Sequence, residues 1–524
     1  MNSNFFLSRL TGRRHGSCNA GWSRRLLAGA VALACLAPVV PSPGIAQNLP
    51  VLGDADREDL TPLAERKIGE QIMSEIRRDR DYLDDAPLIE YLNNMGNELL
   101  AARPDARGET AYDFFFFCVR DPVLNAFALP GGFIAVHSAL VLAAQSESEL
   151  ASVMAHEIGH VAQRHIARMF GKSKQDALIP LASAVAGALA MHASPDAGMA
   201  MMMGGQGLAM QRQLNFSRDA EREADRIGLQ ILKAARYDTS GMIQFFGRMQ
   251  RATRTYSEHP FAFLQSHPLT TERIADIQAR TRDGRYKQRA DSLDFYLIQA
   301  RVRLLQDDTP QGWRDASKVY ETLLQYKVPA QTVAGKYGLA LVALRQADPA
   351  KAQTLLQDAR RVAQGIAALT PTAGRNAILA SIDIDVKTAA GQTADALKEA
   401  DAARQQFPLS RGIARQYADA LIATGRHDEA IVHLRDQLLL YRQEPQLQAL
   451  LAKAYAAQGK DALQHIALAE SYALAGSAQR ALDQLIIARR AKDASFYEQS
   501  VIDARERELR AIRRDEIEEE KKNR

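Results

Sequence analysis

The stretch Ser146-Glu147-Ser148-Glu149-Leu150-Ala151-Ser152-Val153-Met154-Ala155-His156-Glu157-Ile158-Gly159-His160-Val161 decides how this chain is read. Ser146 and Glu149 have capping-box spacing, and Leu150, Val153, Met154 and Val161 recur at helical intervals. A long helix is expected from Ser146 to about Met169. At about 3.6 residues per turn, positions four apart share a face, so His156 and His160 can bind one metal ion. Glu157 stands beside them, where it can take a proton from water and later give it to a leaving amine. Its place inside a strongly helical, apolar-flanked segment points to chemistry rather than to a chance match.

A hydrolytic zinc needs a third protein ligand and one open position. A glycine at 163 and a histidine at 166 would supply one known continuation, but Gln163 and Ile166 stand there. His165 is one residue off and turned from the ligand face, so it reads as a surface or packing histidine. The better candidate lies in Ser217-Arg218-Asp219-Ala220-Glu221-Arg222-Glu223-Ala224-Asp225. Glu221 and Asp225 share a helical face, whereas Glu223 points elsewhere. Glu221 is expected to ligate, and Asp225 to accept a hydrogen bond from a ligand histidine, fixing its tautomer. One Zn2+ per chain is the cofactor expected.

Outward from this centre, Leu60 to Arg80 reads as an amphipathic helix through Leu63, Ile68, Ile72 and Ile76. Asp113 to Val119 is expected as a buried strand, and Phe133 to Val136 as a second after the Gly131-Gly132 turn. Residues 171–215 contain the Ala-rich run Ala177 to Ala193 and the Met-rich run Met199 to Met210. They fit either a core helix followed by a loop or a surface touching membrane or an apolar partner. Two His-Pro pairs, at His259 and His267, follow.

The N-terminus reads as a leader. Arg13, Arg14, Arg24 and Arg25 precede the apolar stretch Leu26 to Val40, and Gly44-Ile45-Ala46 offers a cleavage site, so residues 1–46 are expected as a secretory signal. A retained anchor is the alternative, but the stretch is shorter than the ~20 residues that span a bilayer. Cys18 and Cys35 fall within this leader, leaving Cys118 as the one cysteine of the mature chain.

From about Asp291 the texture becomes Ala/Leu-rich and helical. Gly391, Gly425 and Gly459 recur at intervals of 34, with Ala396 and Ala430 in the same register. That period is the one of tetratricopeptide repeats. A variant unit with Tyr472, Gly476 and Ala481 breaks the spacing, and earlier units around Tyr337 to Leu356 are degenerate. The organisation expected is a metalloprotease domain at 47–285, repeats at 290–490 and a charged, solvated helical tail at 491–524. With 524 residues, 66 Lys+Arg and 62 Asp+Glu, the chain has room for several domains and no basic excess suited to nucleic acid.

Asn125-Ala126-Phe127 with Pro130-Gly131-Gly132, His156 to His160, Glu221 with Ala224-Asp225, and His267-Pro268 with Arg273 together resemble the gluzincin metallopeptidase family that includes CAAX prenyl protease. The resemblance implies an α+β gluzincin domain, followed here by an α-helical solenoid of tetratricopeptide repeats. It implies His156, His160 and Glu221 as ligands and Glu157 as base. His267 would fill the open zinc position as an inhibitory fourth ligand, or instead stabilise an oxyanion. Asn125, Phe127, Gly132, Phe133 and Arg273 would contact substrate, with Asn125 to Val136 forming an edge on which a peptide adds as a strand. Joined to a leader and repeats, the resemblance further implies a periplasmic enzyme. Its substrates would be unfolded or stalled outer-membrane β-barrel proteins, and its repeats would dock the outer-membrane insertion machinery. A chaperone or assembly scaffold with a plugged or structural zinc site is the rival, and the intact Glu157 favours the enzyme.

Overall fold

The computed structural model describes residues 61–108, 112–170, 218–255, 263, 267–282, 289–367 and 376–522. The segment 1–46 expected as a leader, the Ala/Met-rich segment 171–215 and His259 lie outside the described residues.

The N-terminal half opens with α1 (Pro62–Arg78) and α2 (Ala86–Ala102). Each has a side-chain cap, Thr61 on the Ala64 amide and Asp85 on the Leu88 amide, with proline in the first turn, where its missing N–H costs nothing. Three strands follow, β1 (Phe115–Val119), β2 (Ala126–Leu129) and β3 (Phe133–His137), then the helices α3 (Ser138–Ala143) and α4 (Glu147–Ala162). The sheet order is β1-β3-β2, with β3 parallel to β1 and antiparallel to β2. Two strands were expected; the third, Ala126–Leu129, is short and lies between turn residues, so its own pattern is too brief to announce it.

Ser146 caps α4 as expected, accepting from the Glu149 amide. The helix does not run on to Met169. It ends at Ala162, Arg164 takes a left-handed φ of 50°, and a separate helix α5 (His165–Phe170) begins. The Arg164 guanidinium donates to the buried Glu65 carboxylate at 2.8 and 3.0 Å, which Tyr112 also bonds, so a part-buried ion pair holds the break. Then come α6 (Arg218–Ala234), α7 (Ser240–Thr255) and α8 (Thr271–Thr281).

The helical array comprises α9 (Leu293–Gln306), α10 (Pro310–Gln325), α11 (Pro329–Arg345), α12 (Pro349–Ala367), α13 (Ala377–Ala389), α14 (Thr393–Gln406), α15 (Arg411–Ala423), α16 (His427–Leu440), α17 (Pro445–Ala457), α18 (Asp461–Leu474), α19 (Ala478–Arg490) and α20 (Phe496–Lys522). Gly391, Gly425 and Gly459 form the turns inside successive pairs, with φ of +71°, +77° and +68°. Ala396 and Ala430 are buried just beyond. The period fades upstream because the turn between α11 and α12 places Ala347, not glycine, at φ +57°.

Two expectations need correction. The compositional change near Asp291 is not a packing boundary: Phe295, Leu297 and Ile298 of α9 are buried in the same core as α2, α4 and β1. Ser292 also bonds the buried Glu147 at the start of α4 through both its amide and its hydroxyl. The charged tail is not wholly solvated either. Ile502 and Leu509 of α20 are buried with Leu485 of α19, because one stripe of the helix stays apolar between its charges. Among the described residues, no helix is long and apolar enough to cross a membrane.

Candidate metal centre

Helix α4 is buried over almost its whole length, and α6 packs against it. Two glycines set their separation. A Cβ on Gly159 would sit 3.0 Å from the Ala224 backbone, and one on Gly228 3.1 Å from the His156 amide nitrogen. The close approach brings the acidic face of α6 onto the histidine face of α4.

The ligating atoms of His156, His160, Glu221 and His267 all lie within 4.8 Å of one another, and all four residues are buried. His156 Nε2 is 3.0 Å from His160 Nε2 and 3.4 Å from His267 Nδ1. Glu221 Oε1 is 3.0 Å from His267 Nδ1 and 3.4 Å from His160 Nε2. A tetrahedrally held ion with bonds of about 2.0–2.1 Å spaces its donors roughly 3.3 Å apart. The donor set fits such an ion.

The buried groups of the cluster perturb one another strongly. Burial opposes ionisation of Glu221, but His267, His156 and His160 outweigh it and hold its carboxyl well below the usual range. Burial keeps His160 neutral, its pKa well below normal, with charge on the neighbouring histidines acting the same way. Burial also disfavours a charged His156, yet Asp225 and Glu221 more than offset it and hold its pKa up to about 10. Burial pushes the Glu157 carboxyl up, partly opposed by His267 and His156. Neither Glu157 oxygen has a hydrogen-bond partner of good geometry, and Oε1 lies 3.5 Å from His267 Nε2. A buried carboxyl with only such long contacts inside a polar cluster is costly, and groups of this kind gather at functional sites.

Residues 90–281 match the model of peptidase family M48, and residues 387–454 match a tetratricopeptide repeat. The β-barrel assembly-enhancing protease of Escherichia coli K12 is 30% identical over 93% of this chain and 97% of its own length. That of Yersinia pestis is 30% identical over 88% of this chain and 92% of its own. The chain belongs to the β-barrel assembly-enhancing protease family. It is accordingly a metalloendopeptidase with C-terminal tetratricopeptide repeats. Over a shorter span, 23% of this chain and 22% of the relative, it is 38% identical to the mitochondrial metalloendopeptidase OMA1 of Arabidopsis thaliana.

Asp225 Oδ1 lies 3.0 Å from His156 Nδ1, within reach of the hydrogen bond that spacing suggested. Sequence reasoning missed the counterpart on His160. His165 is buried, and its Nδ1 lies 2.8 Å from His160 Nδ1 while its Nε2 lies 3.1 Å from Glu223 Oε2. Burial lowers the His165 pKa to about 4, against the pull of Glu223, so the ring is neutral near pH 7. With His160 offering Nε2 to an ion, its Nδ1–H donates to His165 Nδ1, and His165 Nε2–H donates to Glu223. On an unbroken helix His165 would face away from His160; the left-handed Arg164 turns it back. No local pattern carries that signal.

The residues expected to contact substrate divide. Strand β3 has a neighbour on each side, so Gly132 and Phe133 offer no free edge; Phe133 is buried beneath the Arg66 guanidinium, 4.3 Å away. The edge belongs to β2. Asn125 O accepts from the His137 amide at 3.0 Å, and antiparallel pairs alternate, so the backbone groups of Ala126 and Ala128 point outward. Phe127 is half-buried, its ring edge-on to His137. Arg273, expected to contact substrate, is a buried counter-ion. It donates to both Asp225 oxygens at 2.7 Å and to Pro268 O at 2.9 Å, and sits 2.7 Å from Glu221 Oε2. It thereby fastens the His267 turn to α6.

Proposed function

We propose that the chain is a zinc endopeptidase of the bacterial periplasm that cleaves stalled or misfolded outer-membrane β-barrel proteins and helps their assembly. The observation that carries this is the four-donor cluster of His156, His160, Glu221 and His267 with the fully buried Glu157 beside it. The relatives' printed name, β-barrel assembly-enhancing protease, supports the substrate class and the envelope location.

In this reading His156, His160 and Glu221 hold the ion, one per chain. The chemistry supplied by bound zinc is Lewis acidity, which polarises the scissile carbonyl and acidifies water. Glu157, its carboxyl pushed up by burial, takes a proton from the attacking water and passes it to the leaving amine. Asp225 and His165 orient the two imidazoles. A substrate strand pairs with the outward backbone groups of Ala126 and Ala128 on β2. His267 acts as a displaceable fourth ligand that keeps the site shut; its placement 3.0 Å from Glu221 and 3.4 Å from His156 supports that role over oxyanion stabilisation. The repeats dock the outer-membrane insertion machinery.

The deciding experiment combines zinc analysis with cleavage of an unfolded outer-membrane protein. Wild type should carry about one zinc, and Glu157→Gln should keep it without cleaving. His267→Ala should keep zinc and cleave faster. Slower cleavage by His267→Ala would reassign that residue to the oxyanion, and zinc loss with unchanged cleavage would refute the metal mechanism.

A further inference from the structure

A cavity of about 1050 Å³ opens away from the metal cluster, between the C-terminal end of α1, the start of β1 and the α16–α18 helices. Its wall carries seven arginines and four acidic residues, contributed by both halves of the chain. Two of the acids are already engaged. Glu444 pairs with Arg411 and Arg415, and Asp84 lies against Arg415 and Gln446. By contrast Arg78, Arg442 and Arg480 are exposed and have no ion pair among the described residues. The excess positive charge is therefore available to a ligand.

The arginines are also oriented. Arg77 lies over Phe115 at 5.7 Å, Arg411 over Tyr441 at 5.4 Å and Arg480 over Tyr472 at 6.0 Å. A guanidinium laid on a ring loses less freedom when a carboxylate docks in its fork, and while Arg411 and Arg77 already engage Glu444 and the Leu474 carbonyl, Arg480 has no ion pair among the described residues. Leu439 and Leu440 line the same cavity and are 70% and 61% exposed, so apolar contact surface stands beside the charge.

We infer that this cavity is a docking site for an extended peptide segment in which carboxylate side chains are interleaved with apolar ones. The volume is at the upper end of small-molecule pockets, about 300–1,000 Å³, which suits several residues of a chain. Forked guanidiniums match carboxylates bidentately, and the exposed leucines and ring edges accept the side chains between them. A site walled from two sides by helices excludes a flat bilayer surface. The inference does not rest on the proteolytic reading, because docking here needs neither the metal cluster nor turnover.

The test is fluorescence anisotropy with the full-length protein and a dye-labelled peptide of glutamates interleaved with phenylalanines and broken by prolines. The glutamate peptide should bind, and the same peptide with lysine for glutamate should not. Raising the salt concentration should weaken binding. Arg442→Glu with Arg480→Glu should weaken it about tenfold or more. Should the charge reversals fail to fold, Arg442→Gln with Arg480→Gln, checked by circular dichroism, serve the same purpose. Equal binding of the lysine peptide, or unchanged binding by a folded double variant, would overturn the inference. So would capture of anionic phospholipid vesicles without binding of the peptide.

Discussion

The metal centre and the repeat array are both built from pairs of packed helices, yet they use small residues for opposite ends. In the array, Gly391, Gly425 and Gly459 make turns and nothing lies within 4 Å of where their Cβ atoms would be. In the α4–α6 pair, Gly159 and Gly228 sit in helices and are pressed against backbone. The first kind of glycine serves conformation, the second contact. The array accordingly repeats one turn, whereas the metal centre depends on one close approach.

Truncation gives the largest expected difference between the two. Ending the chain at 290 removes α9 and strips cover from Glu147 and the central core. That protein should not fold, as judged by circular dichroism and loss of bound metal. Ending it at 390 keeps α9 to α13, the last helix of that core, and should leave a cooperative melting transition and a loaded metal site. Similar behaviour of the two truncations would place the packing boundary elsewhere.

Next in size is Glu157→Gln, which should lower the cleavage rate by about 10²–10⁴-fold with metal retained. Progress curves on an unfolded substrate check it, and near-normal turnover would remove Glu157 from the mechanism. Third, Asp225→Ala and His165→Ala should each weaken metal binding by roughly 10–100-fold, read by competition with a chromophoric chelator. Glu223→Gln should show a smaller loss in the same direction as His165→Ala. If His165→Ala bound metal as wild type does, the His160–His165–Glu223 chain would be packing alone. Smallest is Gly425→Ala in the array, where only the φ of +77° resists a side chain. It should cost about 1 kcal/mol, seen as a melting shift of a few degrees. Gly159→Ala, by contrast, should disturb metal binding as well as stability.

What could be read from the sequence follows the range of the interactions. His156, Glu157 and His160 are set by one helix, and Glu221 with Asp225 by another, so spacing alone places each set. The repeat period is local in the same sense. Arg273 was expected to contact substrate because its partners, Asp225 and Glu221, are about fifty residues away in sequence. His165 looked idle because the break at Arg164 is imposed by Glu65, far upstream in α1. Phe133 looked available until β2 and β1 took both sides of its strand. Each error is a long-range contact changing the meaning of a local pattern.

The glycine contact between α4 and α6 also bears on which metals the site tolerates. The distance between the two ligand-bearing helices is set by a close main-chain approach, since a Cβ on Gly159 or Gly228 would come within 3.0 or 3.1 Å of the opposite backbone. An ion needing longer bonds has to push two main chains apart, a stiffer response than turning a side chain. Two positions that offer no ligand atom would thus help set how large an ion the cluster accepts.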